Sequence, residues 1–324
     1  MESITVNPFL ELRDINDLTE YLKIPPKAMY DVLSDSQSSY RTFEIPKKKG
    51  GTRLIEAPVG SLKKVQRLLN YHLQLVYQHC RPECAHGFIS NFKKAHATRN
   101  IVTNAKAHVG ANHVLNIDLG NFFHSVDIWK VKEVFMSYPF YYGNDLASYI
   151  AILTTYNDRL PMGAPTSPVV ANFASFMLDR KLMRFAENNN IVYTRYADDL
   201  TFSTKQEIKA THLQDIMEII RSEKFLLNDK KTRLSRKSSC QTVTGLKVNE
   251  KVNVDRRFVR SIRGMLHTWQ KYGRARAAMR NTSEQQFVNI VKGKLDFLAM
   301  VRGTKDELYE KLRMRYDYLI QYGY

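Results

Sequence analysis

The sequence predicts an α+β fold in which an antiparallel sheet carries helices on one face. Three observations predict it. A strand-like run, HVLNIDL, closes around Asp118 and is followed by helical material. A short hairpin follows, with IVYTRY and LTFS flanking a turn at Ala197-Asp198-Asp199. A helix over 206–224 then leads into two further strand-like runs, LLNDKKTRLS and CQTVTGLKVN. The order strand, helices, strand-turn-strand, helix, strand is a split βαβ arrangement.

Residues 9–35 read as short helices, with Leu10, Leu12, Leu18, Tyr21 and Leu22 as apolar positions and Pro25-Pro26 as a break. The stretch 41–58, RTFEIPKKKGGTRLIEAP, reads as a β-hairpin whose tip, Lys49-Gly50-Gly51, is cationic. Leu62, Val65, Leu68, Leu69, Leu73 and Val76 recur at helical spacing over 61–79, with Ser61 as the expected N-cap. Helical and loop material fills 127–160. PMGAPTSP, 161–168, reads as a loop that opens into one long apolar helix, VVANFASFMLDRKLMRF. From about residue 255 the chain reads helical and rich in Arg and Lys.

The 324 residues suffice for one large multi-lobed domain or two ordinary ones. A content of 44% hydrophobic and 25% charged residues excludes a disordered chain. No run approaches the roughly 18 apolar residues of a membrane span. The start, MESITVNPFLELRD, lacks the basic-then-apolar pattern of a signal peptide, leaving the cytoplasm as the expected location and no membrane as a partner. Lys and Arg number 49 against 32 Asp and Glu, a net charge of +17. Neutralising nucleic-acid phosphates is one use for such an excess, and solubility alone is the other.

Cys80, Cys84 and Cys240 cannot form a closed disulfide framework, which agrees with a reducing compartment. His79, Cys80, Cys84 and His86 put four potential zinc ligands in one segment. Such a site would have to fold onto itself, so packing is the favoured expectation.

The acidic residues carry the chemistry. Adjacent carboxylates repel, so Asp198 and Asp199 at one tight turn favour a cation between them, although Asp also suits an ordinary surface turn. Asp118 ends a run too apolar for a solvated edge, and a charge there needs a partner or a metal. Hard carboxylate oxygens suit Mg2+. Two such ions about 3.5–4 Å apart clamp the attacking and leaving oxygens of an in-line phosphoryl displacement.

VLNIDLGNFF, LPMGAPTSPVVANF and TRYADDLTFS, in this order, resemble the palm of reverse transcriptases. The resemblance covers roughly residues 41–250 and implies a right-hand polymerase. Fingers and N-terminal helices would span 1–112, a ferredoxin-like palm 113–250 with a fingers insertion at about 128–165, and a helical basic thumb 251–324. It implies Asp118, Asp198 and Asp199 as the catalytic metal ligands, with the Leu119 carbonyl as an additional one. Two Mg2+ ions are expected there, with Mn2+ able to substitute.

For the incoming dNTP, the resemblance implies Arg53, Leu119, Phe123, Met162, Gly163 and Lys231. Arg53 and Lys47–Lys49 would grip the triphosphate from the fingers hairpin. Phe123, five residues after Asp118, is similar to the family's steric gate, where a bulky ring leaves no room for a 2′-hydroxyl; Phe122 is the better core residue. Many relatives carry Gln where this chain has Met162, which removes a polar contact near the nucleotide.

Asn-Ala-Lys-Ala-His, 104–108, and Val-Thr-Gly, 243–245, are similar to two elements of bacterial retron reverse transcriptases. This implies a cognate structured noncoding RNA, synthesis of msDNA primed from an RNA 2′-OH, and a separately encoded effector protein in anti-phage defence. Asn104, His108, Arg256, Arg260 and Arg263 are the expected RNA-binding residues, with Asn104 and His108 also readable as structural. Phe258, Ile262, Leu266 and Trp269 should face the palm, with Tyr272 also readable as core. The length is expected to leave no room for an RNase H, endonuclease or toxin domain. Another bacterial reverse transcriptase, of intron or abortive-infection type, and a non-catalytic RNA-binding scaffold are the alternatives.

Overall fold

The structure, a computed structural model, describes residues 7–47, 50–90, 98–278 and 282–322. Asp14 accepts from the N–H groups of Asn16 and Asp17 and so starts α1, Ile15–Tyr21. Pro26 opens α2, Pro26–Ser34. Strands β1, Tyr40–Pro46, and β2, Thr52–Pro58, pair antiparallel from Tyr40↔Pro58 to Pro46↔Thr52. Gly50 and Gly51 take the positive φ that their turn needs. Helix α3, Gly60–Cys80, begins one residue before the expected start; Val59 is its N-cap, and no side chain caps it, so Ser61 lies inside the first turn.

The remaining elements follow in order: α4 (Ile101–Lys106), β3 (His113–Gly120), α5 (Ile128–Met136), α6 (Asn144–Thr154), α7 (Ser167–Ala174), α8 (Phe176–Asn188), β4 (Val192–Tyr196), β5 (Asp199–Thr204), α9 (Ala210–Ser222), β6 (Leu226–Leu227), β7 (Arg233–Arg236), β8 (Thr242–Val243), β9 (Leu246–Lys247), α10 (Arg256–Ala277), α11 (Glu284–Arg302) and α12 (Glu307–Tyr322). The expected long apolar helix is two, α7 and α8. The break falls at Ser175, whose hydroxyl donates back to the Ala171 carbonyl at 2.8 Å.

Two compact units result. One comprises Met1–Asn100, Leu115–Phe202 and Ile208–Arg233; the other comprises Ile101–Val114, Ser203–Glu207 and Leu234–Tyr324. The main sheet has the order β4-β5-β3-β6, with β7 also paired to β3. Strands β3 and β6 are antiparallel, with Leu119 opposite Leu227. Along β3, Ile117 and Leu119 are buried whereas Asp118 is only half-buried, as period-two alternation requires. The first unit's core joins Ile117, Leu119, Leu200 and Phe202 of the sheet to Val169, Val170 and Phe173 of α7. This fixes Asp118 on a strand that cannot slip register without burying the carboxylate.

In the second unit α4 packs against the β8–β9 hairpin, and Thr244 Oγ1 donates to the Ile101 carbonyl at 3.2 Å. The Asn-Ala-Lys-Ala-His and Val-Thr-Gly segments thus meet. Asp255 caps α10, and a capping box of Ser283 and Gln286 starts α11. The stripe Phe258, Ile262, Leu266 and Trp269 shares one core with Val114, Val243 and Leu246, which lie in the expected palm range. It turns onto α11 and α12, with Trp269 5.8 Å from Phe287 and 5.9 Å from Tyr316. Three helices with facing apolar stripes bury one another. Tyr272 is not core; it is exposed beside Lys271 and Arg276.

Candidate active site

The β4–β5 hairpin turns through Ala197 in a left-handed conformation, φ 59°. The Asp198 carbonyl accepts from the Leu119 N–H at 2.9 Å, which ties the turn to β3 beside Asp118. Past β6, the Asn228 N–H donates to the Asp118 carbonyl at 2.9 Å and its Nδ2 to Asp118 Oδ1 at 3.1 Å. The helical turn Asp229–Lys231 then presents Lys231, whose Nζ lies within hydrogen-bond distance of both Asp118 oxygens.

The three carboxylates repel through a poorly solvated region. Burial, then the Asp198 and Asp118 charges, raise Asp199 from 3.8 to about 7, against a lowering by Lys231. Burial and Asp118 raise Asp198 as well, opposed by Lys231 and Arg53. Arg53, on the β2 arm, is therefore within electrostatic reach of the turn. Among the described residues no three His, Cys, Asp or Glu side chains form a closed metal cage, the aspartates included. Asp118 is held by Lys231 and Asn228 instead. The donor set still fits Mg2+: it is oxygen-only, crowded and short of positive charge.

Phe123 follows Gly120 by three residues and is half-buried, its ring 5.6 Å from Phe122 and 5.7 Å from Phe88. Phe122 is the buried one, stacked on Phe225 at 5.8 Å. The Met162 carbonyl accepts from the Glu56 N–H at 2.8 Å. Gly163, φ 135°, abuts β2 so closely that a Cβ would stand 2.8 Å from Ile55 Cγ2. The 161–168 loop is thus fastened to the base of the hairpin. Lys47 is exposed; Lys48 and Lys49 lie outside the described residues.

In the second unit Arg256, Arg260 and Arg263 are exposed along α10 and line a cavity of about 340 Å3 with Arg302. Asn104 and His108, expected to bind RNA, are 0% and 1% exposed and offer it no surface. His108 Nδ1 lies 2.7 Å from Ser203 Oγ. Asn104 lies on α4, which packs against β8 and β9.

The His79–His86 segment packs. The Cys80 thiol donates to the Val76 carbonyl at 3.3 Å, and burial pushes it up to about 12. Burial, Arg99 and Arg81 push His86 down to about 4. Its neighbours form a strap: the Cys84–Gly87 backbone runs beside β4, bonded at both Arg195 N–H and carbonyl, 2.8 Å each.

Sequence reasoning missed four buried polar supports. Glu56 sits between Arg159 and His124, the residue that follows Phe123, each at 3.0 Å. Asn172, Asp179 and Arg195 lie behind the aspartate turn. No local pattern marks them; an Asp-Arg pair on a helix and a strand reads as ordinary surface charge.

Residues 45–248 match the family model of reverse transcriptase (RNA-dependent DNA polymerase). The chain is 35% identical over 247 residues to the retron Mx65 reverse transcriptase of Myxococcus xanthus, covering 70% of this chain and 55% of that protein. It is 32% identical over 260 residues to the retron Ec86 reverse transcriptase of Escherichia coli, covering 79% and 78%. The chain thus spans about half the length of the Myxococcus relative. Among solved structures, a telomerase from Candida tropicalis, in complex with a fragment of telomeric RNA, aligns with TM-score 0.50 at 11% identity, over 92% of this chain and 58% of that one, a likeness of fold alone. The chain therefore belongs to the reverse transcriptase family and, within it, to the retron reverse transcriptases.

Proposed function

We propose that this protein is an RNA-directed DNA polymerase that makes msDNA from its own structured noncoding RNA. On this reading synthesis starts from an RNA 2′-OH, and RNA, enzyme and a separately encoded effector form an anti-phage system. The observation that carries it is the crowding of Asp118, Asp198 and Asp199, within reach of Arg53 and Lys231, inside the matched region.

Asp118, Asp198 and Asp199 would hold two Mg2+, with the Leu119 carbonyl as a further oxygen. Such ions would supply a lowered pKa at the attacking hydroxyl and charge balance for the departing pyrophosphate. Arg53 grips the triphosphate with its planar fork, and Lys231 steadies it from the opposite side. Phe123 excludes the ribose 2′-hydroxyl by bulk. Met162 and Gly163 lie along the base of the dNTP site. Arg256, Arg260 and Arg263 receive RNA phosphates on the helical thumb.

The test is primer extension on RNA templates by purified protein with dNTPs and Mg2+, together with sequencing of nucleic acid that co-purifies. A branched RNA–DNA product, lost in Asp198→Ala/Asp199→Ala, is expected. Extension that survives that double substitution overturns the assignment of the site.

A further inference from the structure

Behind the aspartate turn lies a buried polar set that the reaction scheme does not use. Arg195 on β4 is 1% exposed. Its Nε and one terminal nitrogen donate to the two oxygens of Asp179, on α8, at 2.8 and 2.6 Å. Asp179 is 0% exposed and also accepts from the Tyr193 hydroxyl at 2.9 Å. The other terminal nitrogen of Arg195 donates to Asn172 Oδ1 at 2.9 Å and to the Ala197 carbonyl at 3.3 Å. Asn172, on α7, in turn donates from Nδ2 to the Gly87 carbonyl at 3.0 Å. Gly87 presses on the turn itself: a Cβ there would stand 2.5 Å from the Ala197 nitrogen.

Stability alone is a weak reason for this set, since a buried ion pair is often no better than apolar packing of the same volume. Geometry is a better one. Ala197 holds a left-handed backbone that L side chains adopt at a cost of about 1 kcal/mol or more, and such strain persists only where the surroundings over-determine it. Here they do. The Ala197 carbonyl is held by Arg195, its nitrogen side is walled by Gly87, and Asn172 joins Arg195 to Gly87. Asp198 follows at once, and its own carbonyl is bonded to Leu119. The tilt of this one turn sets where the Asp198 and Asp199 carboxylates emerge relative to Asp118.

We propose that Asn172 is a positioning residue for nucleotidyl transfer: by bridging buried Arg195 to the Gly87 carbonyl it holds the Ala197-Asp198 turn at the depth at which the aspartates share a cation. This rests on the polymerase reading above. Asn172 touches neither nucleotide nor metal; it acts through the turn.

The experiment compares wild type with Asn172→Ala and Gly87→Ala. The second variant deletes no hydrogen-bonding side chain but sets a methyl against the Tyr196 and Ala197 backbone, which must shift. Mn2+ binding is followed by electron paramagnetic resonance on protein without nucleic acid, and kcat and dNTP KM are measured per folded molecule. Both variants should bind Mn2+ about tenfold more weakly. Each should lose about 10- to 100-fold in kcat, with dNTP KM within about threefold, the size expected when reacting groups are misplaced by a fraction of an ångström to 1 Å. A folded Asn172→Ala protein with a lowered Tm but wild-type Mn2+ binding and kcat overturns the proposal, because that is what a merely structural role produces. If Asn172→Ala does not fold, wild-type behaviour of Gly87→Ala overturns it equally. Wild-type protein inactive on every RNA template would sink the polymerase reading instead, and the Mn2+ titration would still decide the positioning claim.

Discussion

Lys231 spans the Asp118 carboxylate, its Nζ 2.8 Å from Oδ1 and 2.9 Å from Oδ2. The lysine side chain is 60% exposed, so the pair is well solvated and worth little to the fold, about 0–1 kcal/mol. Its contact with Asp118 is instead the ground for a kinetic prediction. Lys231→Met should leave Tm within a few degrees of wild type while lowering kcat/KM for dNTPs by about 100- to 1,000-fold, the usual cost of removing one preorganised donor. Thermal melts and steady-state extension together check this; a large loss of Tm with unchanged kinetics contradicts it.

Asp199 gives a prediction in pH. Its folded value, about 7, stands above the ordinary 3.8, so the folded protein binds this proton more tightly than the unfolded chain does. Stability of the metal-free protein should therefore fall as pH rises from about 4 to 7 and level off above. Asp199→Asn removes the ionisation. Its Tm without Mg2+ should exceed that of wild type at pH 8, with a stability gain on the order of 4 kcal/mol that vanishes near pH 4. Activity should be lost in the same variant. In wild type at limiting Mg2+, apparent metal affinity should rise with pH up to about 7, because the ligand must give up its proton.

Phe123→Ala should admit ribonucleotides. The ring is half-buried against Phe88 and Phe122, so its truncation opens space beside the nucleotide and does not collapse the core around Phe122. Competition between dNTP and NTP incorporation is the measurement. Sugar selectivity unchanged from wild type contradicts the gate.

The exposed arginines of α10 predict a salt effect. Replacing Arg256, Arg260 and Arg263 together with Ala should weaken RNA binding and reduce the slope of log affinity against log salt by about 2–3. Binding isotherms at several salt concentrations measure it. A slope equal to wild type removes these residues from the RNA-facing surface.

The placement of the aspartates on a strand and a hairpin turn was legible because their signals are local. Ile117 and Leu119 alternate with Asp118 over one strand, and an Asp-Asp between two β-rich runs is a turn whatever surrounds it. The supports behind them were not legible, because each depends on a partner far along the chain. Asn172 finds Gly87 across 85 residues, and Glu56 finds Arg159 across 103. A buried charge and a surface charge are the same letter in a sequence. The break at Ser175 escaped for a similar reason: no Gly or Pro announces it, only a hydroxyl returning to its own helix. Asn104 and His108 show the reverse error, in which polar residues in a recognisable motif suggested contact with RNA although burial withholds them.

Thr244 bonded to Ile101, 143 positions away, ties the Val-Thr-Gly signature to the helix that carries Asn104. Swapping one of them between homologous enzymes would leave a mismatched seam, with Val243 and Leu246 facing a helix shaped for another partner. Chimaeras intended to change which RNA is used should therefore carry both segments as one transplant, together with the C-terminal helices whose apolar residues share their core.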